Sequence, residues 1–321
     1  MSYFTRATAF APGSIGNLGP GLDVLGAAVS GPGDTVIAEW SDDSGVTIRD
    51  AGDPELPTEA SRHAAGLAAQ AVVRAAIALG ITTPSRGIAL VIRKGLPLSA
   101  GQGGSAASAV AGAVAVNGLL GSPLGITALL AAALVAEATV AGRHLDNIAP
   151  ALLGGIVLVR ALDPIDVVML PVPPTLRVVL AHPNQRMRTA DARAVLPREI
   201  TRVVAVHQLA QVGAMVAALY TGDLPLLGRA LDDRIAEPAR AALFPGFREA
   251  KAAALASGAL GASISGAGPT SFALCDGDMA AASVATAMER AYAAAGVAVA
   301  VRVAHIETHG ARAECDPPEH G

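Results

Sequence analysis

Short apolar runs open the chain and long runs of small apolar residues fill its middle. Runs at 4–11, 34–40, 46–49 and 87–93, bounded by Gly, Asp and Pro, predict strands, and 61–79 predicts a helix. Helices follow at 105–120 and 125–140 with a short one at 146–152, and Gly154 and Gly155 open a strand over 154–159. The pattern then breaks over 160–175, where Asp163-Pro164 and Pro173-Pro174 fall, so two domains are expected, 1–165 and 166–321. Beyond the break come a strand at 176–181, helices at 189–195, 199–220, 224–231 and 246–257, strands at 260–265 and 270–275, a helix at 278–295 and a strand at 298–307. There is no internal repeat.

A length of 321 residues suits two cores, and 52% apolar against 16% charged residues excludes disorder except in the tail at 312–321. Aromatic residues are only 3%, and the abundance of Ala and Gly means helices that pack close together. A net charge of −4 without a basic cluster argues against nucleic acid as a partner. The amino terminus lacks the basic and apolar regions of a signal peptide. The apolar tracts at 105–120 and 126–136 are too short to span a bilayer, so no membrane role is expected. Cys275 in an apolar run and Cys315 in a polar tail suggest no disulfide, and a reducing cytoplasm fits.

The candidate chemistry centres on Gly95-Leu-Pro-Leu-Ser-Ala-Gly-Gln-Gly-Gly-Ser-Ala-Ala-Ser108, between a strand and a helix. Glycines at 101, 103 and 104 let backbone amides turn inward, and the helix start adds unpaired amides and the positive end of its dipole, which together bind phosphate. Ser105 and Ser108 offer hydroxyls that can cap the helix or reach a metal ion. A Walker A loop is excluded because neither lysine, Lys94 nor Lys251, has the spacing. Gly101, Gly103 and Ala106 meet a dinucleotide fingerprint literally, but no acid follows before Glu137. A packing turn without ligand is the third reading of the loop taken alone.

Two further glycine clusters change the balance. Asn17-Leu-Gly-Pro-Gly-Leu-Asp23 follows the first strand, and Ser265-Gly-Ala-Gly-Pro-Thr270 lies between two late strands. Together with the mid-chain loop, in this order, they resemble the galactokinase, homoserine kinase, mevalonate kinase and phosphomevalonate kinase (GHMP) superfamily. The likeness is greatest to the homoserine kinases, through His144-x-Asp-Asn147, Thr189-x-x-x-Arg193 and Glu237-Pro-x-Arg240, and it runs from about residue 9 to 274.

The resemblance implies an α+β fold, with an amino-terminal half like the second domain of ribosomal protein S5 and a ferredoxin-like carboxy-terminal half, and an active site in the cleft between them. It implies ATP and Mg²⁺, with L-homoserine as the alcohol. It puts ATP on Pro97, Ser99, Ala100, Gly101, Gln102, Gly103, Gly104, Ser105 and Ala106, and the metal on Ser105 and Glu137. Arg193 and Arg240 are expected to clamp a carboxylate and Asp23 to take an ammonium. Asn17 and Asn147 would hold the hydroxyl and the phosphoryl oxygens, with His144 and Thr189 lining the pocket. Homoserine kinases lack the catalytic aspartate of some relatives, so the hydroxyl proton is expected to leave to solvent or to a phosphate oxygen. Homodimers are common among them.

This chain departs from the family pattern at Gly104, where a serine is usual, and at Gln102, where an apolar residue is usual. Arg62-His63 replaces an asparagine expected near the adenine. Another small-alcohol kinase of the superfamily, a nicotinamide-dependent oxidoreductase and a non-catalytic nucleotide-binding relative are the alternatives.

Overall fold

In the computed structural model, which describes residues 4–81, 86–140 and 142–317, two sheets are built side by side from one chain. The first contains β1 (Arg6–Gly16), β2 (Leu25–Ser41), β3 (Val46–Asp50), β4 (Gly87–Arg93), β5 (Ile156–Leu162) and β6 (Ile165–Leu170), and it is completed by the last strand, β11 (Arg312–Asp316). Its order is β11-β1-β2-β4-β3. The long β2 also pairs through residues 25–27 with β5, which in turn pairs β6. All pairs are antiparallel except β3 with β4.

Helices α1 (Ala64–Ala78), α2 (Gly104–Leu119), α3 (Ile126–Val140) and α4 (Ile148–Leu153) pack with this sheet into one core. Alternation along the strands turns Ala7, Ala9, Ala11, Val36, Ala38, Leu90 and Ile92 into that core. Nearly every residue of α2 is buried, so it is apolar all round rather than on one stripe. Small side chains let it approach α1, and a Cβ on Gly112 would stand 2.6 Å from the carbonyl oxygen of Ala65.

The second sheet, β10-β7-β9-β8, is antiparallel and made of β7 (Leu176–Pro183), β8 (Gly261–Ile264), β9 (Ser271–Asp276) and β10 (Val299–His305). One face is covered by α9 (Phe247–Ala256) and α10 (Gly277–Ala294) through Ala250, Val284, Met288 and Tyr292. On the other face Val178, Leu180 and Phe272 pack against Ile15, Leu18 and Leu25 of the first half, so a single core fastens the two halves together. Between β7 and β8 the chain adds α5 (Thr189–Ala194), α6 (Arg202–Thr221), α7 (Leu224–Arg229) and α8 (Ala236–Arg240). This is the α+β arrangement that the motifs implied, a mixed sheet with its helices beside a ferredoxin-like sandwich.

The departures from the sequence reading have physical causes. β1 runs on to Gly16 through a bulge between Pro12 and Gly13, because glycines that read as breakers are needed where other segments press against the strand. Residues 165–170, expected to be linker, form a hairpin strand with β5. The tail, expected to be disordered over 312–321, supplies β11 as far as Asp316, a polar edge strand whose alternation is masked because most of it faces solvent, while 318–321 lie outside the described residues. Among the described helices α6, rather than the two mid-chain tracts, is long and apolar enough to cross a membrane, with mean hydropathy 1.5 over its most apolar window. Met215, Ala218 and Leu219 nevertheless pack its inner side into the shared core, while Val203, Val206 and Leu209 are exposed.

Gly26 joins the sheet to the rest of the chain most closely, since a Cβ there would stand 1.6 Å from the carbonyl oxygen of Asp146. Gly26→Ala must therefore push the 144–147 segment away from β2, and its expected cost is at least about 3 kcal/mol of stability, measured by urea unfolding.

Candidate active site

The loop between β4 and α2 is held by its carbonyl groups. The oxygens of Ser99, Ala100, Gly101 and Gln102 accept from Met187 N (3.0 Å), Thr270 N (3.1 Å), Ser265 Oγ (2.6 Å) and Ser14 N (3.1 Å). The next two carbonyls, of Gly103 and Gly104, accept from Ala107 N and Lys94 Nζ. With the carbonyls tied outward, the amides of Gly101, Gln102 and Gly103 have no protein acceptor among the described residues and stand with the open start of α2. Gly101 and Gly103 take φ of +74° and +69° to achieve this. The result is a cradle of backbone donors at a helix N-terminus, an arrangement suited to a phosphate.

Beneath the loop lies a buried ion pair. Asp34 on β2 is paired with Lys94, whose ammonium also donates to Gly104 O (3.1 Å) and Ser108 Oγ (3.0 Å). The other oxygen of Asp34 accepts from the amides of Gly95 and Leu96 at 3.1 and 3.2 Å. All three donors of Lys94 are thus used inside the protein, and Lys94 is a strut rather than a phosphate-binding lysine. Ser108 Oγ donates to Asp34 at 2.6 Å, which leaves Ser105 as the hydroxyl available to a metal.

Glu137, near the end of α3, is buried, and burial pushes its carboxyl up to about 7, against the opposing pull of His144 and of a hydrogen bond from Ser105. Its Oε2 has no hydrogen-bond partner among the described residues. A buried, unpartnered carboxylate oxygen beside a hydroxyl is a donor set that fits a hard cation such as Mg²⁺. His144 Nδ1 lies 3.7 Å from Glu137 and 3.1 Å from Asp146. Burial alone would lower the His144 pKa, but Asp146 and Glu137 turn the shift upward. One ligand atom each of Asp23, His144 and Asp146 falls within 4.8 Å of the others. Asp23, however, is engaged by Arg193, so that group forms an acidic wall rather than a metal cage.

The far end of the same cavity, about 380 Å³ in volume, carries the groups expected for an amino acid. Asn17 and Asp23 sit in left-handed backbone at φ +67° and +62°. Asn17 is braced on three sides, from its amide to Asp146 Oδ2 (3.0 Å), from Nδ2 to Gly266 O (3.3 Å) and from the Asp23 amide to its Oδ1 (3.1 Å). Asn147 Oδ1 accepts from Ser14 Oγ at 2.9 Å, which leaves its amide nitrogen for a ligand. Arg193 makes a forked pair with Asp23, at 2.6 and 3.2 Å. Arg240 differs: it is 3% exposed and donates only to the carbonyls of Ala192 and Gly266, and burial together with Arg193 lowers its pKa.

Of the candidate residues read from the sequence, all line this cavity except Gln102. The Gln102 side chain turns to the reverse side of the loop, toward Thr270 and Arg302, so only its backbone can meet a phosphate there. Sequence reasoning missed Asp146 and the Asp34–Lys94 pair. Asp146 was visible within His144-x-Asp-Asn147, whereas Asp34 stands alone in its strand and only the fold brings Lys94 to it.

The described helices and sheets carry the models for the GHMP kinases N terminal domain, at residues 66–155, and GHMP kinases C terminal, at residues 215–294. A homoserine kinase of Chloroherpeton thalassium is 40% identical over 296 residues, 89% of this chain and 92% of the relative. One of Arabidopsis thaliana is 43% identical over 289 residues, 86% of this chain and 75% of its own length. The solved homoserine kinase of Cytophaga hutchinsonii superposes with a TM-score of 0.90 at 41% identity, covering 97% of this chain and 98% of that one. The Gly-x-Gly-x-x-Ala match at 101–106 is therefore a kinase loop and not a dinucleotide fingerprint, and the chain belongs to the homoserine kinase family of the GHMP kinases, which are ATP-dependent phosphotransferases.

Proposed function

We propose that this chain transfers the γ-phosphoryl group of ATP to the side-chain hydroxyl of L-homoserine, giving O-phospho-L-homoserine on the route to threonine. The observation that carries the reading is the joining, in one cavity, of a cradle of backbone donors to a buried arginine that has no acidic hydrogen-bond partner among the described residues. An α-carboxylate fits Arg240 because a buried guanidinium satisfied only by carbonyls gains most from a charged acceptor. Asp23 and the acidic wall of Asp146 suit the ammonium.

In the reaction the acceptor oxygen bonds to the γ-phosphorus as the bond to the ADP oxygen breaks, and the hydroxyl proton passes to a phosphate oxygen or to solvent. Loose phosphoryl transfer asks for positioning and charge stabilisation, which the loop amides, the start of α2 and the Asn147 amide supply without reorganising. Ser105 and Glu137 would hold Mg²⁺, which when bound offsets charge on the phosphoryl oxygens. Asp146 fixes the Asn17 amide and so keeps the 17–23 loop at the acceptor end. We place the nucleotide half of the site in residues 1–165 and much of the acceptor half in 166–321, in a reducing cytoplasm. The outer face of α6, which exposes Val203, Val206 and Leu209, is the surface a homodimer would use.

A coupled assay of ADP release tests the substrate: homoserine should far outpace mevalonate, galactose and pantoate, and equal or faster turnover of any of these overturns the reading. Ser105→Ala should lower kcat on the order of 100-fold while the KM for ATP moves much less, because a metal ligand matters most where charge shifts.

Gly104 has ordinary backbone, and a Cβ there would find nothing nearer than Lys94 Nζ at 3.6 Å. Gly104→Ser should therefore fold normally, with its KM for ATP unchanged within about threefold or lowered, as an ATP titration would read.

Glu137 predicts a pH dependence of stability. Its folded pKa of about 7 lies above the ordinary value of 4.5, so between these limits the folded state keeps a proton that the unfolded state has lost. Stability must then fall as pH rises through that window, by up to about 3 kcal/mol, and level off above it. Urea unfolding at pH 5 and pH 8 with a chelator present should show this decline in the parent and a smaller one in Glu137→Gln, where His144, whose pKa is also raised, still titrates.

A further inference from the structure

We propose that the recess on the reverse side of the glycine-rich loop is a second ligand site, for a small carboxylate with a short apolar body, and that its occupant strengthens ATP binding through Gln102. The recess is about 180 Å³ in volume, and of the residues that line it only Pro97 also lines the active-site cavity. Its walls follow from strand register. Leu180 stands opposite Arg302 and His182 opposite Ala300 across β7 and β10, so all four share one face of the sheet. That is the face on which Val178 and Leu180 join the core between the two halves. Beyond Leu180 the sheet offers His182 and Arg302, and the first half answers with Pro32, Pro97 and Gln102 instead of a core side chain. The two halves therefore leave a gap here.

The chemistry of the ligand follows from the lining. Arg302 donates to the carbonyl of Ser30 at 2.7 Å and reaches Gln102 Oε1 at 3.5 Å, the outer limit of a hydrogen bond. Its other donors have no acceptor among the described residues, and no carboxylate there pairs with it, so burial alone acts on its pKa and lowers it. A half-buried guanidinium without an acid is completed by an anion. Burial also lowers the pKa of His182, whose ring therefore adds a neutral hydrogen-bonding group rather than a second charge. The prolines, Leu180, Ala300 and Val301 make the remaining wall apolar. An inorganic ion would lose water to that wall and gain nothing from it, whereas a carboxylate on a short hydrocarbon body uses both parts.

Gln102 joins the recess to the active site. Its buried side chain lies between Thr270 Oγ1, at 3.4 Å, and Arg302, while its backbone amide is one of the free donors of the cradle on the other side of the loop. Both side-chain contacts are long, so the loop is weakly held at this residue. A carboxylate on Arg302 can also accept from Gln102 Nε2, which gives that amide a charge-assisted partner. The loop is then gripped from behind, the Gln102 amide keeps its aim, and ATP has less ordering to impose. The coupling is reciprocal, so ATP must strengthen carboxylate binding by the same factor.

The probe is 3-methylbutanoate, with 3-methylbutanamide as its neutral isostere and inorganic phosphate as an anion without an apolar body. Titration calorimetry of the full chain should give saturable binding of 3-methylbutanoate with a Kd on the order of 1 mM, and binding of the amide and of phosphate at least about tenfold weaker. With the probe at saturation the Kd for ATP and Mg²⁺ should fall about fivefold, and ATP should lower the Kd of the probe by the same factor. Arg302→Met, which keeps the length of the side chain, should abolish probe binding. Ala300→Leu, which fills the recess from an exposed strand position, should do the same and leave the Kd for ATP without probe at its parental value. Should Arg302→Met not fold, Ala300→Leu decides alone. Probe binding that survives in the folded variants lies elsewhere, at Arg240 for instance, and overturns the proposal. Equal binding of the amide or of phosphate overturns it too, as does a probe that binds without lowering the Kd for ATP. None of these readings uses turnover of an acceptor, so the recess and the homoserine reading stand or fall separately.

Discussion

The buried pair of Asp34 and Lys94 is the contact on which the rest of the site depends. Asp34 has no exposed surface, and it holds both the entry to the phosphate loop, through the amides of Gly95 and Leu96, and the exit, through Lys94 and the carbonyl of Gly104. Removing charges from water is costly, and such a pair need not stabilise a fold more than apolar residues would. Its consequence is geometric: a loop pinned at both ends keeps its free amides aimed at one place. That is the preorganisation on which electrostatic catalysis relies.

The same pair decides how charge is shared along the cavity. Lys94 sits under the glycine-rich loop but is neutralised by Asp34, and at the mouth Arg186 is paired with Glu55. The loop end of the cavity therefore presents amides, a helix start and the Ser105–Glu137 corner. Arginine appears instead at the far end, where Arg240 is buried among carbonyls and Arg193 is forked onto Asp23. A negatively charged nucleotide is thus offered dipoles and a place for a divalent ion, while a small carboxylate is offered guanidinium groups. The division suits two ligands that must lie end to end without exchanging places.

Much of this was legible in the sequence, and the parts that were not share a cause. The helices of small residues announced themselves as long apolar runs and the central strands as short ones, and three separated glycine clusters marked segments that the fold brings to one cavity. Strand ends at Gly16 and Leu25 were missed because their glycines answer to contacts from distant segments rather than to local turns. β11 was missed because an exposed polar strand has no apolar face to reveal it. The reversed side chain of Gln102 and the mutual pairing of Asp23 with Arg193 lie beyond any local pattern. Residue types at a spacing tell which groups are present, but their partners are fixed only when the sheets close.

The glycine motifs themselves divide into positions held by packing and positions that are not. At Gly16 a Cβ would stand 2.4 Å from the Asn147 side chain, and at Gly103 it would stand 2.1 Å from Ser14 Oγ. At Gly101 it would meet the carbonyls of Ser265 and Gly268 at 2.6 and 2.7 Å. These glycines draw four distant segments, the end of β1, the glycine-rich loop, the 144–147 turn and the 265–268 turn, into van der Waals contact, so each is required before any ligand arrives. Gly104 has no such neighbour and an ordinary backbone, and there this chain differs from the family pattern. The loop thus departs from its relatives at a position where a side chain would fit, and it keeps glycine where backbone and side chains already fill the space that a Cβ would need.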